Sequence, residues 1–291
     1  MEEQKLIANT TTNYAKEVKG IPKPNEKLAS VTEKEYLSLV RKNHNLTLVK
    51  NMIESSLNKK AKGKMFNIVT ATWNPISGCL YNCVYCWARE LAITKLKNTQ
   101  RYAKGFKPSL NEKEFSSRFV KGDLIFVSDM ADMFANFIPE NWIKQVLNHI
   151  RRFPEADFLF MTKNPKRYLE LLPYIPKNAI LGTTIETTND EIIQTDKVST
   201  APLPSERYQA MKILDWDRKI VSIEPILDFD LITFIKWIDD INPFIVYVGY
   251  DNYCHKLREP TLENTINLMQ KLPESTLVIK KSIRPAWFES N

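Results

Sequence analysis

The 291-residue chain has little of what secreted and membrane proteins depend on. Its four cysteines are too few for a disulfide scaffold, and no signal-peptide pattern precedes them. The longest apolar runs, such as residues 244–248, are far too short to span a bilayer. No repeat of solenoid length is present in the sequence. These absences predict a cytoplasmic protein without membrane segments, and a chain of this length can bury one sizeable core.

The formal net charge of +7 is concentrated near the start of the chain. Residues 1–65 contain 13 Lys and Arg against 7 Asp and Glu, which leaves a net charge of about +1 for the remaining residues. Basic segments often contact nucleic-acid phosphates, yet a solvated lysine-rich tail is equally common. The charge therefore leaves two interpretations open, a nucleic-acid partner and an arm that aids solubility.

Three of the four cysteines stand close together. Cys79, Cys83 and Cys86 form a C-x3-C-x2-C motif. Three thiolates can hold three irons of a 4Fe-4S cluster, while the missing fourth ligand leaves one iron open to a small molecule. A structural zinc site normally needs four protein ligands, so zinc would require a distant residue such as Cys254 or His255. The spacing favours the cluster.

Residues 1–65 and 66–291 differ in pattern and are expected to form separate units. The first unit is a basic arm followed by a helix over Glu33–Leu57, where apolar residues recur at helical intervals. In the second unit, short apolar strands alternate with amphipathic helices, which is typical of a parallel sheet covered by helices. The six predicted strands are 67–72, 123–127, 157–161, 179–185, 219–223 and 244–248, with 276–279 as a candidate seventh.

Polar side chains follow each predicted strand. In parallel barrels the functional residues gather at this end, because the loops after the strands share one mouth. The cysteine motif follows the first strand, and the other polar residues in this position are Ser128, Asp129, Asp132, Thr162, Lys163, Asn164, Glu186, Glu224 and residues 249–252. The predicted fold is thus an α/β partial TIM-type (βα)6 barrel with a basic helical N-terminal extension.

Four motifs carry a family resemblance. The first surrounds the cysteines and has two parts, Thr-Trp-Asn-Pro at 72–75 and Cys-Val-Tyr-Cys-Trp-Ala-Arg at 83–89. The other three are Phe-Val-Ser-Asp-Met-Ala-Asp-Met-Phe at 126–134, Phe-Met-Thr-Lys-Asn-Pro at 160–165 and Ser-Ile-Glu-Pro at 222–225. Together they resemble the radical S-adenosylmethionine (SAM) enzymes, in particular a phage-associated family of uncharacterised function and, more distantly, the spore photoproduct lyases. The resemblance covers about residues 66–253.

The resemblance implies a chemistry. It implies a 4Fe-4S cluster on the three motif cysteines, reductive cleavage of SAM to a 5'-deoxyadenosyl radical, and an electron donor such as flavodoxin or ferredoxin. Tyr85 is placed as in related enzymes to pack near the adenine. Many relatives bind the methionine amino group through a Gly-Gly-Glu-like segment, whose place is taken here by Ser128 and Asp129. With Lys163, these two residues are the candidate contacts to the methionine end.

Three further residues, Glu186, Glu224 and Cys254, are candidate site residues, and each also has a purely structural alternative. Glu186 and Glu224 can bind ribose hydroxyls or substrate, or can pair with Lys163 or Arg89 to stabilise the barrel mouth. Cys254 can return a hydrogen atom to a substrate radical, as a downstream cysteine does in spore photoproduct lyase, or can simply pack.

The expected substrate is a nucleic acid that is modified or repaired. The alternatives are a radical SAM enzyme acting on a peptide or small metabolite, and a non-enzymatic metal-bearing module that binds nucleic acid.

Overall fold

The computed structural model describes residue 47, residues 65–66 and residues 68–289. The expected basic arm and the helix predicted for Glu33–Leu57 therefore lie outside the described residues, apart from residue 47. The strands are β1 (Ala71–Trp73), β2 (Ile76–Ser77), β3 (Ser109–Leu110), β4 (Leu124–Val127), β5 (Asp157–Thr162), β6 (Ala179–Thr184), β7 (Lys219–Ile223), β8 (Ile245–Val248) and β9 (Leu277–Lys280).

Short helices connect these strands. They are α1 (Trp87–Ile93), α2 (Glu140–Ile150), α3 (Lys166–Leu171), α4 (Asp190–Thr195), α5 (Pro204–Ile213), α6 (Leu231–Ile241) and α7 (Leu262–Lys271), with 3-10 turns at Glu112–Ser116 and Leu172–Tyr174. The amphipathic helices predicted from Pro139, over Leu231–Ile238 and over Leu262–Met269 are present as α2, α6 and α7. None of the described helices is long and apolar enough to cross a membrane.

Seven strands form one parallel sheet in chain order, β1-β4-β5-β6-β7-β8-β9. Each ladder is parallel, from β1 against β4 to β8 against β9, so each step along the sheet needs a crossover connection. β2 and β3 form a separate antiparallel ribbon. The candidate seventh strand is confirmed as β9. Among the described residues β1 and β9 each pair on one side only, so the ladders define an open sheet.

The first strand begins later than predicted. The register with β4 starts at Ala71. The Thr70 amide still donates a hydrogen bond to the carbonyl of Leu124 at 2.8 Å, but the Leu124 amide donates to the Thr70 side chain instead of to a backbone carbonyl. Thr70 Oγ1 donates to the carbonyl of Leu124 at 3.1 Å and accepts from the Leu124 amide at 3.0 Å. Before it, the Val69 amide closes a turn on the carbonyl of Phe66 at 3.1 Å. Hydrophobicity alone does not distinguish this buried turn from a strand.

The two faces of the sheet are covered differently. One face packs against apolar residues of α2, α3, α5, α6 and α7. On the opposite face Phe126, Leu159 and Tyr247 pack against Phe66 and its neighbours, without any of those helices. The Phe66 ring lies 5.3 Å from the Phe126 ring and 4.7 Å from the Tyr247 ring, measured between centroids. This face, here named the helix-free face because none of the described helices contributes to its apolar cluster, is therefore closed at one end by an aromatic cluster.

This cluster predicts a large effect of truncating one ring. Phe66→Ala should lower the free energy of unfolding by about 3 kcal/mol or more, because it removes a fully buried aromatic side chain. Ile232→Ala is the matched control, since Ile232 lies 79% exposed on α6 and should change stability by less than about 0.5 kcal/mol. Urea denaturation of the two variants measures both values. Equal effects would contradict the packing described for this face.

Candidate functional site

A cavity of about 600 Å³ opens on the helix-free face of the sheet. Its wall receives one or more residues from the segments after β1, β4, β5, β7, β8 and β9, namely Cys79, Asp132, Lys163, Glu224, Asp251 and Lys281. The carboxyl ends of neighbouring parallel strands meet at one edge, which explains why segments so distant in sequence share this wall. The predicted polar residues that line the cavity are Asp129, Asp132, Thr162, Lys163, Glu224 and residues 250–252, whereas Ser128, Asn164, Glu186 and Gly249 are not among the lining residues.

The cysteine loop enters the cavity through a glycine that no other residue can replace without strain. Gly78 has a φ of +89°, and a Cβ atom there would lie 2.2 Å from the carbonyl oxygen of Lys107. The Gly78 amide donates to the carbonyl of Met130 at 2.8 Å, and the Cys79 amide donates to that of Phe106 at 3.0 Å. The loop is thereby fixed between the segment after β4 and residue 106.

The other two cysteines are held from the α1 side. Cys86 caps α1, and its Sγ accepts a hydrogen bond from the Arg89 amide at 3.4 Å. Cys83 Sγ lies 3.1 Å from Ser199 Oγ. The guanidinium of Arg89 donates to Asn82 Oδ1 and to the carbonyl of Cys83, both at 2.7 Å. Arg89 therefore stabilises the loop itself, and the bonds found for it are not to Glu186 or Glu224.

These thiols fit an iron-sulfur cluster better than a single ion. All three motif cysteines are free thiols on the cavity wall. Burial raises the pKa of Cys79 and Cys86, so a thiolate at either position would need the positive charge of a bound metal. In the described part of the chain no three His, Cys, Asp or Glu side chains are arranged to hold one metal ion. In a cluster each thiolate binds a different iron, so the three need not converge on one point.

Cys254 and His255, the residues that could complete a zinc site, do not line the cavity. Cys254 is exposed. His255 Nδ1 lies 2.9 Å from Asp251 Oδ2, and the same oxygen accepts a hydrogen bond from the His255 amide at 2.6 Å. Asp251 itself lines the cavity, so this pair connects the loop after β8 to the wall.

A buried carboxylate lies behind the cysteine loop. Glu186 is fully buried, and its Oε1 accepts from the hydroxyl of Tyr85 and lies 3.2 Å from Lys163 Nζ. Its Oε2 accepts from Arg207 Nη1 at 2.6 Å. Burial by itself would raise the pKa of Glu186, but the charges of Arg207 and Lys163 outweigh it and lower the pKa to about 2. Glu186 thus stays ionised, while Tyr85 and Lys163 reach the cavity in front of it.

Nothing in the sequence singles out Arg207 as a site residue. It lies on α5 and is fully buried, and it also donates to the carbonyls of Pro202 at 2.7 Å and Thr184 at 3.0 Å. An arginine in a polar helix usually faces solvent, so nothing in α5 distinguishes it. The only available signal is the need of a buried glutamate for a counter-ion.

Of the two residues of the loop after β4 that are expected at the methionine end, Asp129 lines the cavity and Ser128 does not. Asp129 accepts from Asn74 Nδ2 at 2.5 Å, while burial raises the pKa of its carboxyl group. Ser128 is buried with a φ of +56°, a conformation uncommon for a residue with a side chain. No described hydrogen-bonding group contacts the hydroxyl of Ser128.

Asp132 joins this loop to the next one. Its carboxylate accepts from Thr162 Oγ1 at 2.6 Å and from the Lys163 amide at 2.7 Å. Burial raises the pKa of Asp132, and these hydrogen bonds oppose that rise. Asp132 therefore fixes Lys163 at the backbone, whereas Glu186 fixes it at the ammonium group.

Glu224 forms a second charged pair among the residues that line the cavity. Its Oε1 lies 3.1 Å from Lys281 Nζ, and its Oε2 accepts from Ser222 Oγ at 3.3 Å. Burial raises the pKa of Glu224, which the Lys281 charge partly offsets. A Cβ atom at Gly249 would lie 3.0 Å from this carboxylate, so glycine leaves room for the pair. The ion pair described for Glu224 is with Lys281, a residue that the sequence did not single out.

The family of the chain follows from a sequence comparison. A model of the family described as "Protein of unknown function (DUF5131)" matches residues 64–238. This match covers more than half of the chain, which therefore belongs to that family. A search of curated proteins finds no match. The family description does not assign an activity, so the resemblance to phage-associated radical SAM proteins stays an expectation.

Solved structures with a similar fold have low sequence identity. A spore photoproduct lyase complexed with dinucleoside spore photoproduct is 11% identical, with a TM-score of 0.48 over 92% of this chain and 78% of that chain. A variant of that enzyme with bound AdoMet is 11% identical, with a TM-score of 0.47 over 88% and 72%. A radical SAM methyltransferase from Sphaerobacter thermophilus is 12% identical, with a TM-score of 0.47 over 75% and 67%. At these values no activity is carried over, so the site must supply the functional argument.

The buried pair predicts strong coupling between two residues. Glu186→Gln and Arg207→Met should each lower the free energy of unfolding by about 3–5 kcal/mol, because each removes the nearest partner of a fully buried charge, even though Glu186 keeps Lys163. In the double variant the free energy of unfolding should fall by much less than the sum of the two single losses. The exposed pair Asp196–Arg258 is the control, and its cycle should give a coupling below about 1 kcal/mol. Denaturant unfolding measures both cycles, and additive losses at Glu186 and Arg207 would contradict the pairing.

The same pair has a defined pH dependence. The pKa of Glu186 is lowered from 4.5 to about 2 on folding, so its stabilising contribution is fully present above about pH 4.5. That contribution is lost as the pH falls toward 2, and Glu186→Gln should lack it. The pH profiles of the two proteins should therefore converge in acid.

Proposed function

We propose that this protein is a radical SAM enzyme. The observation that carries the proposal is the C-x3-C-x2-C loop, whose three free thiols line one cavity at the carboxyl ends of a parallel sheet. When bound there, a 4Fe-4S cluster would supply the electron that cleaves SAM to a 5'-deoxyadenosyl radical. The protein's own residues position SAM and substrate and keep water away.

Roles for the cavity residues follow from their charges and contacts. Cys79, Cys83 and Cys86 hold three irons and leave the fourth open to SAM. Tyr85, held by Glu186, packs near the adenine. The Lys163 ammonium group suits the SAM carboxylate, and the Asp129 carboxylate suits the SAM amino group.

The remaining residues have supporting roles in the proposal. Ser128 offers a hydroxyl with no described partner to the methionine end of SAM. Glu224 lies on the wall, where it can accept hydrogen bonds from ribose hydroxyls or substrate. Glu186 acts through Tyr85 and Lys163. Cys254, on the loop after β8, is the proposed hydrogen-atom donor.

The fold is consistent with this chemistry. Helices on one face and a cavity on the other are the arrangement of a partial barrel, which is the finer fold that we propose for the seven-stranded sheet. A cavity of about 600 Å³ is within the usual range for cofactor sites of about 300–1,000 Å³. An electron donor such as flavodoxin or ferredoxin and a cytoplasmic location belong to the same proposal.

The substrate that we propose is a nucleic acid, which the enzyme modifies or repairs. The net charge of +7 supports a polyanionic partner. A base in a duplex has to leave its stack before a buried radical can reach it. A peptide or small metabolite would need no such charge.

The cluster is tested by iron content and SAM cleavage. Anaerobically reconstituted protein should bind about four irons and four sulfides. With a strong reductant it should cleave SAM to 5'-deoxyadenosine and methionine. Replacing Cys79, Cys83 and Cys86 by Ala should abolish iron binding and cleavage. Cys254→Ala is the matched cysteine control and should retain its iron.

Two outcomes would contradict the cluster. Stoichiometric zinc with no reconstituted iron would support a non-enzymatic metal-bearing module instead. Full iron content without SAM binding by calorimetry would remove the radical SAM assignment.

The substrate class is tested in cells. Nucleosides from RNA and DNA are compared by mass spectrometry in cells that carry the gene, lack it, or carry the allele with the three motif cysteines replaced by Ala. A nucleoside that changes with the intact gene and not with the triple-Ala allele is the expected result. Unchanged nucleosides in an active strain would favour a peptide or small metabolite.

A further inference from the structure

A second concentration of positive charge lies in the described part of the chain, directly after α1. Residues 94–107, here named the basic loop, contain no Asp or Glu and five basic residues, Lys95, Lys97, Arg101, Lys104 and Lys107. All five side chains are exposed. Residues 66–291 as a whole hold 28 Lys and Arg against 27 Asp and Glu, so this loop differs sharply from its surroundings.

The backbone of the basic loop is held by hydrogen bonds and by a small apolar core. Four backbone hydrogen bonds of 2.9–3.1 Å close successive turns between Leu91 and Gly105. Tyr102 and Phe106 are buried in a small core of their own, which includes Ala88 of α1 and Met130. The backbone of the loop therefore follows a fixed path, from which the charged side chains extend into solvent.

The basic loop is hydrogen-bonded to the cysteine loop. The carbonyl of Phe106 accepts from the Cys79 amide at 3.0 Å, and the Phe106 side chain lines the cavity. Cys79 and Cys86 pack against the same small core. Whatever binds the basic loop is thus positioned relative to the three thiols.

Most of these charges lack acidic partners. Arg101 Nη2 lies 2.6 Å from Glu114 Oε1. Within the residues described, no Asp or Glu forms an ion pair with Lys95, Lys97, Lys104 or Lys107. Four like charges on one short loop repel one another, and a polyanion would relieve that repulsion.

The geometry points to the phosphate backbone of a nucleic acid as the partner of the basic loop. Between the lysines, the exposed uncharged polar side chains are Asn98, Thr99 and Gln100, which are side-chain types that bond phosphate oxygens, and the exposed apolar one is the small Ala103. A protein partner would need apolar contact area in the centre of the interface. In this loop Leu96, Tyr102 and Phe106 pack inward instead.

The inference deepens the proposed function, on which it rests for the identity of the substrate. A backbone bound along the basic loop would lie beside the wall formed by Phe106 and Trp87. A single nucleotide could then turn into the cavity while its neighbours stay on the loop. The sequence average over residues 66–291 conceals this surface, because acidic residues elsewhere cancel its charge.

The test replaces the four unpaired lysines. Lys95, Lys97, Lys104 and Lys107 are changed together to Gln in the full-length reconstituted protein. Binding of a short fluorescein-labelled single strand, as DNA and as RNA, is measured by anisotropy over a salt series. The slope of log affinity against log salt should become shallower by about 3, since each phosphate contact on a single strand contributes about 0.7.

The matched control removes the same charge elsewhere. Lys166, Lys177, Lys271 and Lys280 are all exposed, and their joint replacement by Gln should leave the slope within about 1 of the original. Equal loss in both quadruple variants would mean that only net charge matters and would overturn the site. An unchanged slope in the basic-loop variant would overturn it as well.

Two further readouts separate the alternatives. If the basic-loop variant binds oligonucleotide normally but is no longer reduced by flavodoxin, the loop is a docking face for an acidic electron donor and the inference is wrong. SAM cleavage by the unaltered protein with a chemical reductant is measured in parallel. Absence of cleavage there would defeat the proposed function while leaving the binding result intact.

Discussion

The buried carboxylate of Glu186 connects three segments that are far apart in the sequence. It accepts from Tyr85 on the cysteine loop, pairs with Lys163 after β5, and pairs with Arg207 on α5. Desolvating this charge is costly, and the two cations repay that cost only in one geometry. This single anion therefore fixes the Tyr85 end of the cysteine loop relative to β5 and α5.

The rest of the cavity is arranged around that constraint. Asp132 holds the backbone of Lys163, so both ends of this residue are fixed. Gly78 lets the chain turn into the cavity where any side chain would meet the carbonyl of Lys107. Glu224 and Lys281 form a separate pair that Gly249 leaves room for. The cavity is thus lined by side chains of both charges that are fixed by their partners, which is what preorganised binding requires.

Much of the sheet was predictable from the sequence, because β4 to β8 are short apolar runs buried on both faces and separated by polar loops. The cysteine motif was predictable from its spacing. The start of β1 was not, since the Thr70 side chain accepts the hydrogen bond of the Leu124 amide while the Thr70 amide keeps its bond to the Leu124 carbonyl. Lys281 and Arg207 were missed for a different reason: their partners, Glu224 and Glu186, lie far away in the sequence. Such long-range pairs leave no local pattern.

The central claim is that three thiolates leave one iron open for SAM. The most direct measurement is electron-nuclear double resonance on the reduced, reconstituted protein, with SAM carrying ¹⁵N in its amino group or ¹⁷O in its carboxylate. The account predicts hyperfine coupling from both labels to the cluster, because both groups would bind the open iron. A fully loaded, reduced cluster that shows no coupling to either label in the presence of excess SAM would contradict it.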